Sequence, residues 1–307
     1  MPRMRVANAP VSYGVDEVVD DDAWMPTGEQ VIDMIARAGY KGTELGPPGF
    51  LGTAPEVRER LSDRGLELVG SFLPQRFSEA EYAEEDRAWL REKLVLVRDG
   101  APEGSHPFAI LCDGFDQPLR MELSGRIAEH PEAWLPEARF PVLMDNIHRA
   151  AELARGMGFD VVIHPHAGTF IETKDEVSRV LDAMDLSLMG LCLDTGHLRY
   201  GGADPADVVR QYHEHIRHVH VKDARMQVIA DCRADDVGLK VALARGVFCE
   251  LGLGDAGIPE VIVALDEVGY EGWLVVEQDR ALTMADTLDS IHEANVRNRE
   301  YLRALGV

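Results

Sequence analysis

Hydrophobic and polar positions along the chain repeat a two-part pattern. An amphipathic stretch of helical spacing closes on a glycine, and a short apolar run follows it. The pattern occurs as Ala36-Arg-Ala-Gly-Tyr-Lys-Gly-Thr-Glu-Leu, Asp63-Arg-Gly-Leu-Glu-Leu-Val, Arg155-Gly-Met-Gly-Phe-Asp-Val-Val-Ile and Glu267-Val-Gly-Tyr-Glu-Gly-Trp-Leu-Val-Val. Glycine just past a helix takes the left-handed conformation that returns the chain to a sheet. Repeated helix-to-strand returns imply parallel strands. Apolar runs bounded by turn residues predict eight of them: 5–12, 42–46, 67–72, 108–112, 161–166, 189–194, 218–222 and 273–278. Eight strands with intervening helices predict an α/β fold, a (β/α)8 TIM barrel. Thr173-Lys-Asp-Glu176 is a capping box and Asp204-Pro205 a helix start, which supports the count. Two segments exceed the minimal unit, 77–106 and 224–252, and are expected to be rim insertions on one domain spanning 1–307.

Catalytic groups of such barrels stand at the carboxyl ends of the strands. The later strands each finish in polar residues there. The fifth ends in His164-Pro-His166, two histidines in one strand phase, and the sixth in Asp194-Thr-Gly-His197. The seventh brings His218, His220 and Lys222 into one phase, and the eighth ends in Glu277 and Asp279. Imidazole and carboxylate together suit a borderline divalent ion such as Mn, Co or Zn better than Ca, so these ends predict a metal site. Single carboxylates at strand ends are commonly structural, which is the competing reading of Glu44 and Asp113. His213 and His215 are expected on a solvated helix end, and Met184 and Met189 in the core.

Composition narrows the partners. Lysine and arginine number 31 against 54 acidic residues, a formal charge of -23 that repels phosphodiester backbones and anionic membranes. Cys112, Cys192, Cys232 and Cys249 show no CxxC spacing and read as reduced thiols. No apolar signal core follows Met1, and no stretch reaches the length of a membrane span, so a cytoplasmic protein without nucleic-acid or membrane partners is expected. No glycine-rich dinucleotide fingerprint occurs, so neither nicotinamide nor flavin is expected.

The strings Leu193-Asp-Thr-Gly-His197, His218-Val-His-Val-Lys-Asp-Ala-Arg225 and Gly269-Tyr-Glu-Gly-Trp-Leu-Val-Val-Glu-Gln-Asp279 resemble the xylose-isomerase-like TIM-barrel superfamily of sugar isomerases, epimerases and dehydratases. Within it the chain is most similar to the inosose dehydratases, strongly over 140–280 and more weakly before. The resemblance implies Asp194, His220 and Glu277 as metal ligands, with Mn or Co as the ion and Zn or Mg as alternatives. In most of the superfamily the first ligand is a glutamate, aligned with His164; here His164 or His166 takes its place. The resemblance also places His197 and Arg225 at substrate oxygens; Glu44 and Asp279, as strand-end carboxylates, are further candidate substrate contacts. Two departures bear on the substrate: Val11-Ser-Tyr-Gly-Val-Asp-Glu17 replaces the family's strand-one string, and Phe248–Gly257 lacks its usual valine-aspartate pair.

The implied reaction is dehydration of a cyclic polyhydroxy ketone, 2-keto-myo-inositol: loss of the proton beside the carbonyl and of a hydroxyl one carbon further on. Glu277 or Asp279 would assist proton transfer, and His166 or Lys222 would protonate the departing hydroxyl. Lys222 paired with Asp223, and Asp279 orienting a histidine, are the structural alternatives. Histidine in place of the first glutamate removes one of the two carboxylates an epimerase needs, unless His164 or Glu172 takes up that role; Glu172 could equally favour a helix amino terminus. A keto-sugar isomerase or epimerase is the second expectation, a non-catalytic sugar-binding barrel or partner-dependent subunit the third, and a homo-oligomer fits each. An apurinic endonuclease shares the barrel, but the charge argues against DNA.

Overall fold

Eight parallel strands close on themselves in the computed structural model, which describes residues 4–15 and 24–307. The barrel strands are β1 (Arg5–Asn8), β2 (Gly42–Glu44), β3 (Glu67–Gln75), β4 (Phe108–Asp113), β5 (Asp160–His164), β6 (Gly190–Asp194), β7 (Ile216–Val221) and β10 (Trp273–Val276). Two further strands, β8 (Asp223–Ala224) and β9 (Phe248–Cys249), pair antiparallel outside the barrel. Pairing of β1 with both β2 and β10 closes the ring. The glycines that end the predicted modules, Gly39, Gly65, Gly158 and Gly269, all have positive φ, between 63° and 94°. Thr173 caps its helix reciprocally with Glu176, and Asp204 accepts from the first turn that Pro205 opens.

Alternation along the strands separates two apolar layers. Leu111, Ile163, Leu193, Val219 and Leu274 face the helix ring, while Ile110, Val162 and Cys192 pack with Phe72 and Phe108 into a separate cluster. Each large aliphatic buried in this way contributes about 1.5–3 kcal/mol. Met184 and Met189 belong to the outer core, His213 is exposed, and the four cysteines are free and buried.

Several boundaries differ from expectation. The first strand stops at Asn8, because Pro10 opens a 3-10 turn over Pro10–Tyr13. Asp16 and Glu17 of the departing strand-one string lie outside the described residues. Segment 77–106 is no rim insertion: it carries the helix Ala83–Gly100, whose Leu90, Leu94 and Val97 are buried and which packs on the neighbouring ring helices. The extra segment in this half is 114–139, with the helix Pro118–Leu123 and three 3-10 turns. Segment 224–252 carries the helices Met226–Ala234 and Leu239–Ala244.

Candidate metal centre

Register brings the polar strand ends together. Asp194 pairs with His220 across β6 and β7, and Glu277, just beyond β10, donates its N–H to Val221 O at 3.1 Å. One ligand atom each from His164, Asp194, His220 and Glu277 fits within 4.8 Å of the others, and all four side chains are buried. Nε2 of His164 stands 3.1 Å from Nδ1 of His220, which lies 3.0 Å from a Glu277 oxygen and 3.7 Å from Asp194 Oδ2. Asp194 caps the helix Thr195–Tyr200: Oδ1 accepts from His197 N at 2.9 Å, while Oδ2 is buried with no hydrogen-bond partner. A buried carboxylate oxygen 3.4 Å from His164 Nε2 and 3.7 Å from His220 Nδ1, with a second carboxylate in the same cluster, fits a divalent cation.

Of the two histidines around Pro165, His164 joins this cluster. Pro165 ends the ladder, so His166 leaves the strand and joins a neighbouring group with His197 and Asp279. His166 Nδ1 lies 2.7 Å from Ala167 O, a contact that requires the proton on Nδ1 and leaves Nε2 as a lone pair. Rings of His166 and His197 are 3.6 Å apart, and Phe115 meets His166 edge-on at 4.8 Å. Burial, then the nearby His164 and Lys222, holds His166 well below the usual histidine range; burial, His166 and Lys222 do the same to His197.

Lys222 links the two groups. Its Nζ lies 2.6 Å from Asp279, 2.9 Å from His197 Nε2, 3.2 Å from Glu277 and 3.4 Å from Asp194. Burial opposes its charge, but Asp194, Asp279 and Glu277 outweigh it, so the ammonium form is favoured. Burial pushes Asp279 up to about 6 against the pull of Lys222. Thr195 Oγ1 donates to Lys222 O at 2.7 Å and accepts from Lys222 N at 2.8 Å, fixing this strand end against β6.

Other expected contacts fall elsewhere. Asp223 does not pair with Lys222; its carboxylate accepts from Ala224, Gly252, Gly254 and Ala256 N–H groups, because the following loop folds back over it. Glu44 is 2 % exposed, and Oε1 accepts from Nε2 of both His218 and His220 at 2.9 Å. Arg225 donates to Gly246 O at 2.7 Å within segment 224–252, and no described contact brings it to the ligand cluster. Glu172 accepts from Ser124 Oγ, Gly125 N and Gly168 N, so it bridges two loops rather than serving a helix terminus. Asp113 accepts from Phe170 N at 3.0 Å, the structural alternative. Not foreseen were Phe72 and Phe115, which flank His164 and His166; an aromatic two residues past the β4 end was the available signal. A separate surface cavity of about 610 Å³, lined by Trp134, Phe140 and Phe170, contains none of the four clustered ligands.

Over 281 residues the chain is 32 % identical to an inosose dehydratase of Geobacillus kaustophilus, covering 90 % of this chain and 87 % of the relative. A second inosose dehydratase, from Clostridium perfringens, is 26 % identical with 98 % and 97 % covered. Among solved structures, a probable 3-DHS dehydratase from Bacillus anthracis superposes with a TM-score of 0.69 at 15 % identity, covering 98 % of this chain and 99 % of its own. D-allulose 3-epimerase from Methylomonas sp. gives 0.69 at 14 % identity, with 99 % and 98 % covered. These two show the fold, which dehydratases and epimerases share. The family model described as xylose isomerase-like TIM barrel matches residues 32–303, and together with the closed eight-stranded barrel this establishes that the chain belongs to that family.

Proposed function

We propose that this chain is a metal-dependent hydro-lyase that dehydrates 2-keto-myo-inositol (inosose), with His164, Asp194, His220 and Glu277 holding the ion. Manganese or cobalt is the ion this reading assigns, ahead of zinc or magnesium. The observation that carries it is the adjacency of the four-ligand cluster to Lys222, an ammonium 3.2 Å from Glu277. Similarity to inosose dehydratases over nine-tenths of the chain supplies the substrate.

A bound divalent ion at this cluster supplies Lewis acidity toward a ketone oxygen, which makes the neighbouring C–H removable. The chain's own groups divide the rest. His166, protonated on Nδ1, offers Nε2 to take the proton, and the C–H electron pair becomes the new C=C bond. Lys222 delivers a proton from Nζ to the departing hydroxyl, so the C–O pair leaves as water. Asp279 holds the Lys222 ammonium, and Glu277 joins the ligand cluster to it. Phe72 and Phe115 wall the His164 and His166 side and limit water there. A two-base epimerisation needs a second free carboxylate. Glu172 is engaged by three donors and Asp279 by Lys222, which favours elimination.

The test is mass spectrometry of 2-keto-myo-inositol after incubation with protein stripped of metal and resupplied with Mn or Co. Metal-dependent loss of one water, absent in Glu277→Gln, is expected. An unchanged mass with both ions overturns the substrate assignment. Solvent proton exchange without loss of water would turn the reading to epimerisation.

A further inference from the structure

Beneath the ligand layer, three buried side chains form a linkage that the reaction itself does not touch. Glu44 comes from β2, and the two histidines bonded to its Oε1 come from β7, so the linkage crosses the barrel lumen. Two local features of the sequence make it possible. Register between β2 and β3 shifts between Thr43 and Glu44, and such irregularities re-aim a side chain. On β3 the paired position is Gly70, where a Cβ would stand 3.4 Å from Glu44 Oε1 and 2.7 Å from Ile110 Cδ1, so a larger residue there would have to displace the Ile110 side chain.

A carboxylate oxygen that accepts from two imidazoles requires each to carry its proton on Nε2. With an ion bound, His220 would then offer its lone pair on Nδ1, the nitrogen that faces Glu277, His164 and Asp194. Glu44 is the hydrogen-bond acceptor at Nε2, where it favours that tautomer and holds the ring at this angle. His218, wholly buried against Phe108, supplies the second donor that keeps Oε1 beneath His220. We infer that Glu44, anchored by His218, is a positioning residue that presents Nδ1 of His220 to the metal; this rests on the reading of the cluster as a metal site. A partner of this kind typically changes metal affinity by about 10- to 100-fold when removed.

The test titrates the metal-stripped full chain with Co2+ while recording its d–d absorption, for wild type and Glu44→Gln. The amide keeps the shape of the side chain but loses the anion. Expected is a loss of about 10- to 100-fold in Co2+ affinity and a shifted absorption band, with the circular dichroism of the metal-free protein unchanged. Wild-type affinity and an unshifted band in the variant overturn the role of Glu44 and leave the metal site standing. Failure of the wild type to bind Co2+ overturns both. Should Glu44→Gln not fold, 15N-histidine NMR of wild type loaded with Zn2+ decides: His220 with metal at Nδ1 and the proton on Nε2 supports the inference, and metal at Nε2 refutes it.

Discussion

Lys222 Nζ lies 2.6 Å from Asp279 Oδ1 and 3.4 Å from Asp194 Oδ2. A cation of the protein thus stands beside the place where the ion would bind, and the two repel each other. Lys222→Met is therefore expected to bind Mn2+ more tightly than wild type while losing roughly 100-fold or more in kcat, the range for a general acid. Metal titration and steady-state turnover of the same preparation would check both halves. A variant with weaker Mn2+ binding and intact turnover contradicts this placement.

Metal removal should act on stability as well as on turnover. Four buried ligands are preorganised in the folded chain and scattered in the unfolded one, so an ion that binds only the former raises the melting temperature. At about 100 times its dissociation constant the gain is about 2.7 kcal/mol. Adding Mn2+ or Co2+ after dialysis against a chelator is expected to restore both the melting temperature and activity in wild type. Neither should return in Asp194→Asn. A wild-type melting temperature indifferent to both ions would count against the cluster.

Asp113 gives a pH signature remote from the reaction. Burial, partly offset by the Phe170 N–H, pushes its carboxyl up to about 7. The folded chain therefore holds this proton more tightly than the unfolded chain. The stabilisation is complete below about pH 4 and is lost as pH rises through about 7, each pKa unit being worth about 1.4 kcal/mol. Asp113→Asn keeps an acceptor for Phe170 and cannot ionise. Its stability relative to wild type is expected to improve as pH rises from 5 to about 7 and to level off above that; a difference independent of pH from 5 to 7 would refute the assignment.

Asp223 should matter to the rim loop and not to Lys222. Removing its carboxylate strands the N–H groups of Gly252, Gly254 and Ala256. Asp223→Ala is expected to cost about 3 kcal/mol, the upper range for bonds to a charged acceptor, with faster amide exchange confined to residues 250–257. Asp223→Asn retains one acceptor oxygen and should lose less. Equal exchange rates in wild type and Asp223→Ala would show that the loop is held by other contacts.

The chain's local chemistry was enough for the barrel and for most of the site. Helical spacing, the left-handed glycines at 39, 65, 158 and 269, and the capping box at Thr173 are short-range features, so they are legible residue by residue. The alternation of side chains along β7 likewise set His220 and Lys222 on one face before any fold was known. Tertiary structure decided what depends on a partner far along the chain. The phase of the fifth strand could not separate His164 from His166, because the choice follows from where the ladder ends at Pro165. Glu44 reads as a strand-end carboxylate until the closed ring brings it to His218 and His220, 174 and 176 residues away. Ala83–Gly100 looked like an insertion because its few apolar positions have meaning only against the neighbouring ring helices. A side chain's type and phase are local properties; its partner is set by barrel closure and register, which no short stretch encodes.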